Sequence, residues 1–334
     1  MALRTILVVW RELPAALIGD LVDGTRLDLD GQPLGDRIAV MKGSAPRVAF
    51  DGSRFIVASV SQMGFAAQYV EESGTLTGAP FTITGTPSGF ASGAVSGNVV
   101  AWPESLLRAG TISGGALARN TAVTNMPELV TGGSPARTVA VAVTPSGQTL
   151  IARASQIGDQ HGVFVTVTDA ALTTIANGVL ESRSAGGATI TGGAEDDLDA
   201  AASSDGFAVV WSGPLGGPGP RSVRFASLTD AGTLTAAAQL LAPAGESPRV
   251  VWTGTEFLVV WRQPEGGVYG MALDAGGGIV ADTFLIAPPP AGFAQLQALV
   301  AVRGGAVVSY ATNAGTSAVR TIAFVPLRHR AARR

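Results

Sequence analysis

The chain has 334 residues, more than one conventional hydrophobic core serves unless the architecture is a closed or repetitive β fold. Charged residues make up 14% and aromatics 6%, against 44 glycines and 19 prolines, a turn-rich composition that excludes a helical bundle and a disordered chain. A formal net charge of −3 excludes the basic field that nucleic acid requires, and the absence of cysteine excludes disulfides, thiolate metal sites and cysteine nucleophiles.

In chain order, the apolar run from Met1 to Trp10 is interrupted by Arg11, Glu12 and Pro14 before a signal-peptide core forms. No stretch approaches the ~18 continuous apolar residues of a membrane helix, so no membrane insertion is expected. Thr5 to Trp10 is the first of seven similar apolar strands. The second lies in a well-formed repeat copy: Ala45-Pro46-Arg47-Val48-Ala49-Phe50, a turn at Asp51 to Arg54, Phe55 to Ser59, Ala66 to Glu71, a turn at Ser73-Gly74, then Phe81-Thr82-Ile83. Weaker copies place the same strand at Asn98 to Trp102, Gln148 to Ala152, Phe207 to Trp211 and Ala306 to Tyr310. The sharpest copy runs Ser247-Pro248-Arg249-Val250-Val251-Trp252, Thr253 to Glu256, then Phe257-Leu258-Val259-Val260-Trp261, with further strands at Val268 to Asp274 and Phe284 to Ile286.

The last residues of these strands are separated by 49, 43, 50, 59, 50 and 49 positions, the length of a four-stranded propeller blade. Leu258-Val259-Val260 is apolar on both faces, as a strand covered on each side must be. The pattern predicts an all-β, seven-bladed β-propeller of four-stranded antiparallel blades. Blades are expected near 1–42, 43–86, 87–130, 131–182, 195–243, 244–288 and 292–327, making one domain at 1–327 with a basic tail at 328–334. The long interval holds Gly186-Gly187 to Asp199, which reads as an inserted loop.

No tryptophan is followed by aspartate, which argues against the WD type, and Gly304-Gly305 precedes a strand where a kelch blade would place paired glycines after one. The Asp-Gly turn leading into a strand that ends Val-Val-Trp resembles a bacterial repeat found in uncharacterised, mostly secreted propeller-like proteins. The resemblance covers nearly the whole chain, is sharp at 44–84 and 246–287, and brings no catalytic residues with it. A bacterial source also fits Lys42 as the sole lysine beside twenty-one arginines, the skew of a GC-rich genome. The resemblance implies an extracellular or cell-surface setting, with the export signal absent from this chain.

Counting strands gives seven second and seven third strands, but six first and six fourth strands. The two that are lacking, the first of the first blade and the fourth of the last, are consecutive around a ring. The expectation is therefore a chain truncated at its start, with a segment of about 20 to 30 residues ahead of Met1 supplying both. The alternative is a ring whose first and last blades have three strands and open edges.

Functional residues of propellers gather on the loops between second and third strands and between blades. An arginine directly follows the second strand three times, at Arg11, Arg153 and Arg262, a repeated placement suited to carboxylate or sulfate recognition. Each arginine can equally pair with a nearby acid at the blade edge. Glu104 and Glu265 complete the candidate ligand-binding set and are also the paired carboxylates that a glycosidase would need. Glu195, Asp196 and Asp197 are the densest calcium candidates, set against a plain solvated acidic loop; Asp28 to Gly31 reads as a hairpin turn. His161 is the sole histidine outside the tail, which rules out a multi-histidine metal centre. No cofactor is implied. The reading is a non-enzymatic binding or adhesion module that recognises carbohydrate, peptide or protein through its loop face; the alternative is a carbohydrate-active hydrolase or lyase.

Overall fold

A computed structural model of the protein describes residues 5–12, 21–29, 31–61, 64–84, 93–103, 107–123, 138–157, 160–184, 197–213, 221–289, 294–302, 304–314 and 317–326. The fold is a seven-bladed β-propeller whose strands follow one another as antiparallel meanders, with no helix among the described residues. The chain divides into two compact units, Met1–Asp196 with Leu215–Gly217, and Asp197–Pro214 with Pro218–Arg334.

The first unit holds four blades. Blade 1 has three strands, β1 (Ile6–Glu12), β2 (Leu21–Leu27) and β3 (Ile38–Lys42). Blade 2 has β4 (Ser44–Phe50), β5 (Phe55–Ser61), β6 (Gly64–Val70) and β7 (Leu76–Thr84). Blade 3 has β8 (Ala94–Ser96), β9 (Val99–Pro103), β10 (Leu107–Ser113) and β11 (Ala116–Ala122). Blade 4 has β12 (Thr138–Val143), β13 (Thr149–Ile157), β14 (Gln160–Thr168) and β15 (Thr174–Ser184).

The second unit holds three. Blade 5 has β16 (Leu198–Ala202), β17 (Gly206–Gly213), β18 (Ser222–Thr229) and β19 (Leu234–Ala242). Blade 6 has β20 (Glu246–Trp252), β21 (Phe257–Arg262), β22 (Val268–Leu273) and β23 (Ile279–Ala287). Blade 7 has three strands, β24 (Ala294–Val302), β25 (Gly305–Ala314) and β26 (Ser317–Pro326). The strand expected to be lacking from blade 1 is the first and that from blade 7 is the fourth, and both sheets have three strands among the described residues.

Alternation along the second strands explains why they are apolar at consecutive positions. On β5, Phe55 and Val57 pack with Leu7, Val22 and Val40 of blade 1, while Ile56 and Ala58 pack with Val100, Trp102 and Ile112 of blade 3. On β21, Phe257, Val259 and Trp261 face Val210, Val223 and Phe225 of blade 5, while Leu258 and Val260 face Leu296, Ala306 and Val308 of blade 7. Successive side chains leave a strand on opposite faces, so a strand sandwiched between two blades has no solvent side, and a polar residue on it, such as Ser59 or Arg153, is buried.

One turn type recurs and accounts for much of the glycine. In seven hairpins the N–H of residue i donates to the carbonyl of i+4, and the N–H of i+3 to the carbonyl of i; they start at Asp28, Glu71, Thr144, Asp169, Thr229, Gln263 and Asp274. The residue at i+3 has positive φ, and in six of the seven it is glycine (Gly31, Gly74, Gly147, Gly232, Gly266 and Gly277). The seventh is Leu172, at φ 60, whose side chain is buried in the core between blades 3 and 4. There, apolar burial offsets the roughly 1–2 kcal/mol that a left-handed conformation costs a residue with a Cβ.

Three of these turns lean on the preceding blade and are held by a long side chain. Arg26 of β2 donates to the Glu72 carbonyl at 3.1 Å, Arg119 of β11 to the Ala171 carbonyl, and Gln239 of β19 to the Gly277 carbonyl at 2.9 Å. The fit at the last is close. A Cβ added to Gly277 would lie 2.7 Å from the Ala236 Cβ, so the turn seats only as glycine.

Two predictions follow from this packing. Trp261 is fully buried between blades 5 and 6, and Trp261→Ala is expected to cost about 3–5 kcal/mol through the cavity it leaves. Urea unfolding of parent and variant measures this, and coincident curves would refute the interblade assignment. The second concerns the turn at Asp51, whose Oδ1 accepts the Ser53 N–H at 2.8 Å, the Arg54 N–H at 2.9 Å and the Ser53 hydroxyl at 2.8 Å. Partial burial pushes this carboxyl upward, but the hydrogen bonds and the Arg54 guanidinium outweigh it and hold the group below the usual aspartate range. A depressed folded value means stability present above the unfolded value and lost as pH falls through the folded one. Asp51→Asn should therefore be less stable than the parent at neutral pH, by on the order of 1 kcal/mol, with the gap closing as pH drops below about 4. A gap independent of pH would show that the charge contributes nothing.

Candidate functional site

In the second unit a group of polar side chains forms where β20 begins and β21 ends, on the end of the blades that carries the loops between second and third strands. It starts from Gly245. Its N–H donates to the Arg221 carbonyl at 2.7 Å, and a Cβ at this position would lie 2.7 Å from both the Trp261 ring and Val223. Only glycine passes between those two groups, and its passage sets Glu246 and Ser247 beside blade 5.

Ser247 then takes a positive φ of 49, unusual for a residue with a side chain. Ala45 does the same at φ 48 in blade 2; both precede the Pro-Arg pair of the repeat, and the ladder shifts register there. The strained backbone thus belongs to the repeat. What is particular to blade 6 is its compensation: the N–H and hydroxyl of Ser247 both donate to Asp197 Oδ2, at 2.9 and 3.0 Å. Arg221 reaches the same oxygen at 3.4 Å, and the Asp197 carbonyl accepts the Ser212 N–H at 2.9 Å. Two residues on, Asp199 Oδ2 accepts the Val250 N–H at 3.0 Å, a second carboxylate tie between the first strands of blades 5 and 6.

Glu246 lies opposite Arg262 in the ladder and forms an ion pair with it. Their exposures differ: the Arg262 side chain is 5% exposed and that of Glu246 28%. Arg221 and Asp197 are likewise partly open, at 19% and 28%. The arrangement therefore presents the edges of two guanidinium–carboxylate pairs, balanced in charge and fixed by backbone contacts, to whatever approaches this end of the blades. Glu265 is exposed at the tip of the Gln263–Gly267 turn on the same end of blade 6.

The other sequence candidates fall elsewhere. The strands run further than their repeat alignment indicates, so Arg11, Arg153 and Arg262 lie within β1, β13 and β21 rather than in the following loops. Arg11 pairs in register with Val22, and its side chain lies outside the described residues. Arg153 is buried in the first unit with its guanidinium 5.5 Å from the Phe164 ring centroid; burial pushes its pKa down to about 10, leaving it protonated at neutral pH. Glu104, Glu195 and Asp196 lie outside the described residues, as does the side chain of His161. Among the described residues, no group of three or more histidine or acidic side chains converges to hold a metal. Asp28 to Gly31 closes a hairpin, its Oδ1 accepting the Gln32 N–H at 2.7 Å.

The tie between Asp197 and Ser247 spans fifty residues and has no signature in either local sequence. One signal does exist: the copy at blade 2 has alanine where blade 6 has serine, at a position whose conformation disfavours both.

No protein-family model matches the chain, and no curated protein matches it. Solved structures do. A periplasmic gluconolactonase from Pseudomonas aeruginosa is 16% identical with a TM-score of 0.52, over 96% of this chain and 99% of that one. The WD40 domain of Toxoplasma gondii coronin is 10% identical with a TM-score of 0.54, over 98% and 80% respectively. The Cps50 (Swd1) β-propeller domain of Myceliophteria thermophila is 10% identical at 0.54, over 96% and 100%. At these identities the likeness shows the propeller fold and nothing finer.

The energetics of the polar group are testable directly. Glu246→Ala removes the carboxylate from an arginine that is almost wholly buried, and should destabilise the protein by about 1.5–3 kcal/mol. Glu246→Gln, which keeps an acceptor but no charge, should fall between parent and alanine variant in urea unfolding. Equal stability of all three would show that the pair contributes nothing.

Proposed function

We propose that this chain is a binding module, acting outside the cell, that engages a peptide, protein or carbohydrate with the end of blades 5 and 6 carrying Asp197, Arg221, Glu246 and Ser247. Fold likeness leaves the choice open, since the propellers it matches include a protein named as a gluconolactonase and a WD40 domain. The supporting observation is local. Donors and acceptors of Arg221, Asp197 and Glu246 are partly open to solvent, while the Arg221 carbonyl accepts from the Gly245 N–H and the Asp197 carboxylate from the Ser247 N–H across the two blades. A fixed polar edge loses little conformational entropy on binding, and it suits hydroxyl or peptide groups that offer both donors and acceptors. The extracellular setting enters this proposal through the repeat resemblance alone.

The test is to probe the full chain with a glycan array and a randomised-peptide display library, comparing the parent with Arg221→Ala. Ligands recovered on the parent should lose affinity by about tenfold or more on the variant, at unchanged thermal melting. Ligands that bind both equally would move the site elsewhere. Turnover of a panel of aryl glycosides by the parent would replace the binding module with an enzyme.

A further inference from the structure

β4 and β20 are corresponding first strands of the repeat, with the same bulge and the same positive φ at Ala45 and Ser247. Their neighbours differ. β20 packs on the first three strands of blade 5, β16, β17 and β18, whereas β4 packs on β1 and β2, the second and third strands of blade 1 by the repeat. Pro248 and Val250 of β20 are accordingly buried, while their counterparts Pro46 and Val48 are only partly buried and Ala45 is exposed. Blade 5 also supplies carboxylates: Asp197, just before β16, accepts the Ser247 N–H and hydroxyl, and Asp199 within β16 accepts the Val250 N–H. In blade 1, β1 stands at the edge of its sheet, paired with β2 in unbroken register from Ile6 to Glu12, and no strand among the described residues pairs with its other side.

We propose that the free edge of β1, beside β4, is an acceptor site for an extended peptide of a partner polypeptide with the pattern Asp-apolar-Asp followed by small residues, the pattern of residues 197–202 in blade 5. Main-chain hydrogen bonds to β1 hold such a strand, and its side chains select it. By the repeat, Val9 and Trp10 correspond to Val210 and Trp211 of β17, which face Asp199 and Leu198. The added strand therefore sets its apolar residue opposite Trp10 and its second aspartate opposite Val9, where the carboxylate meets the Val48 N–H. Its first aspartate meets the Ala45 N–H, as Asp197 meets that of Ser247. The small residues then lie on Val48, as Ala201 packs with Val250. Alanine at 45 lacks the hydroxyl that Ser247 donates, so this site offers one donor fewer than its counterpart. It lies in the first unit, separate from the polar group of blades 5 and 6.

The probe is a fluorescein-labelled peptide copying residues 197–203, Asp-Leu-Asp-Ala-Ala-Ala-Ser, titrated with the full chain and followed by anisotropy. The parent should bind it saturably at one site, and a copy carrying Asp197→Ala and Asp199→Ala should bind about tenfold or more weakly. In the protein, Ala45→Ser restores the hydroxyl donor and should tighten binding about threefold or more, whereas Ala45→Glu sets a like charge there and should weaken it about tenfold. Both changes fall at an exposed position whose conformation serine already adopts in blade 6. Amides of β1 that face away from β2 should exchange freely with deuterium until the peptide is added. Absence of binding to the parent, equal binding of the two peptides, Ala45 variants that bind as the parent does, or β1 edge amides protected before any peptide is present would each overturn the inference.

Discussion

Burial of the second strand on both of its faces is the constraint from which the rest of the structure follows. A sheet of four strands has two broad faces, and in a stack of blades neither meets water near the middle. Val57 and Ile56, neighbours in sequence, serve cores on opposite sides of the same blade, as do Val259 and Leu258. Because every such strand is apolar at consecutive positions, the hydrophobic pattern lacks the polar–apolar alternation of a half-exposed sheet. Polar and charged residues are thereby displaced to the strand ends, the turns and the outermost strands, which is where the chemistry of this chain resides.

Turn geometry is the second consequence. Tightly stacked blades leave little room at the hairpins, and one five-residue turn is used seven times, five of them between third and fourth strands, with a positive φ at its fourth position. Glycine fills it wherever the neighbouring blade comes close, as Gly277 does against Ala236. Leu172 departs from glycine, and there the core between blades 3 and 4 receives the side chain. The turn carbonyls then accept from Arg26, Arg119 and Gln239, so blade register is held at the periphery by hydrogen bonds as well as in the middle by apolar contact.

At the opposite extreme of apolar packing, Asp197, Arg221, Glu246, Ser247 and Arg262 form a charge-balanced group supported by backbone donors. The deeply placed Arg262 is tied by the half-open Glu246, and the positive φ of Ser247 is compensated by Asp197. Fixing these groups costs the fold little further, because the glycine crossing at 245 and the repeat bulge already position them.

The repeat period, the apolar second strands and the glycine-marked turns were legible in the sequence, and from them the seven blades and which strands the first and last sheets lack among the described residues. They are legible because each is a local consequence of strand alternation and turn stereochemistry, and because seven copies reinforce one another. The candidate site was legible only in part. Arg262 and Asp197 stood out by residue type, but their partners Glu246 and Ser247 could be assigned only once two blades lay side by side, since nothing local specifies a contact fifty residues distant. The same holds for Arg153, which reads as a loop cation and lies buried over Phe164 because its strand continues beyond the repeat's aligned end. Short-range stereochemistry is written in consecutive residues; which charge faces which, and which remains open to solvent, is decided by the packing of blade against blade.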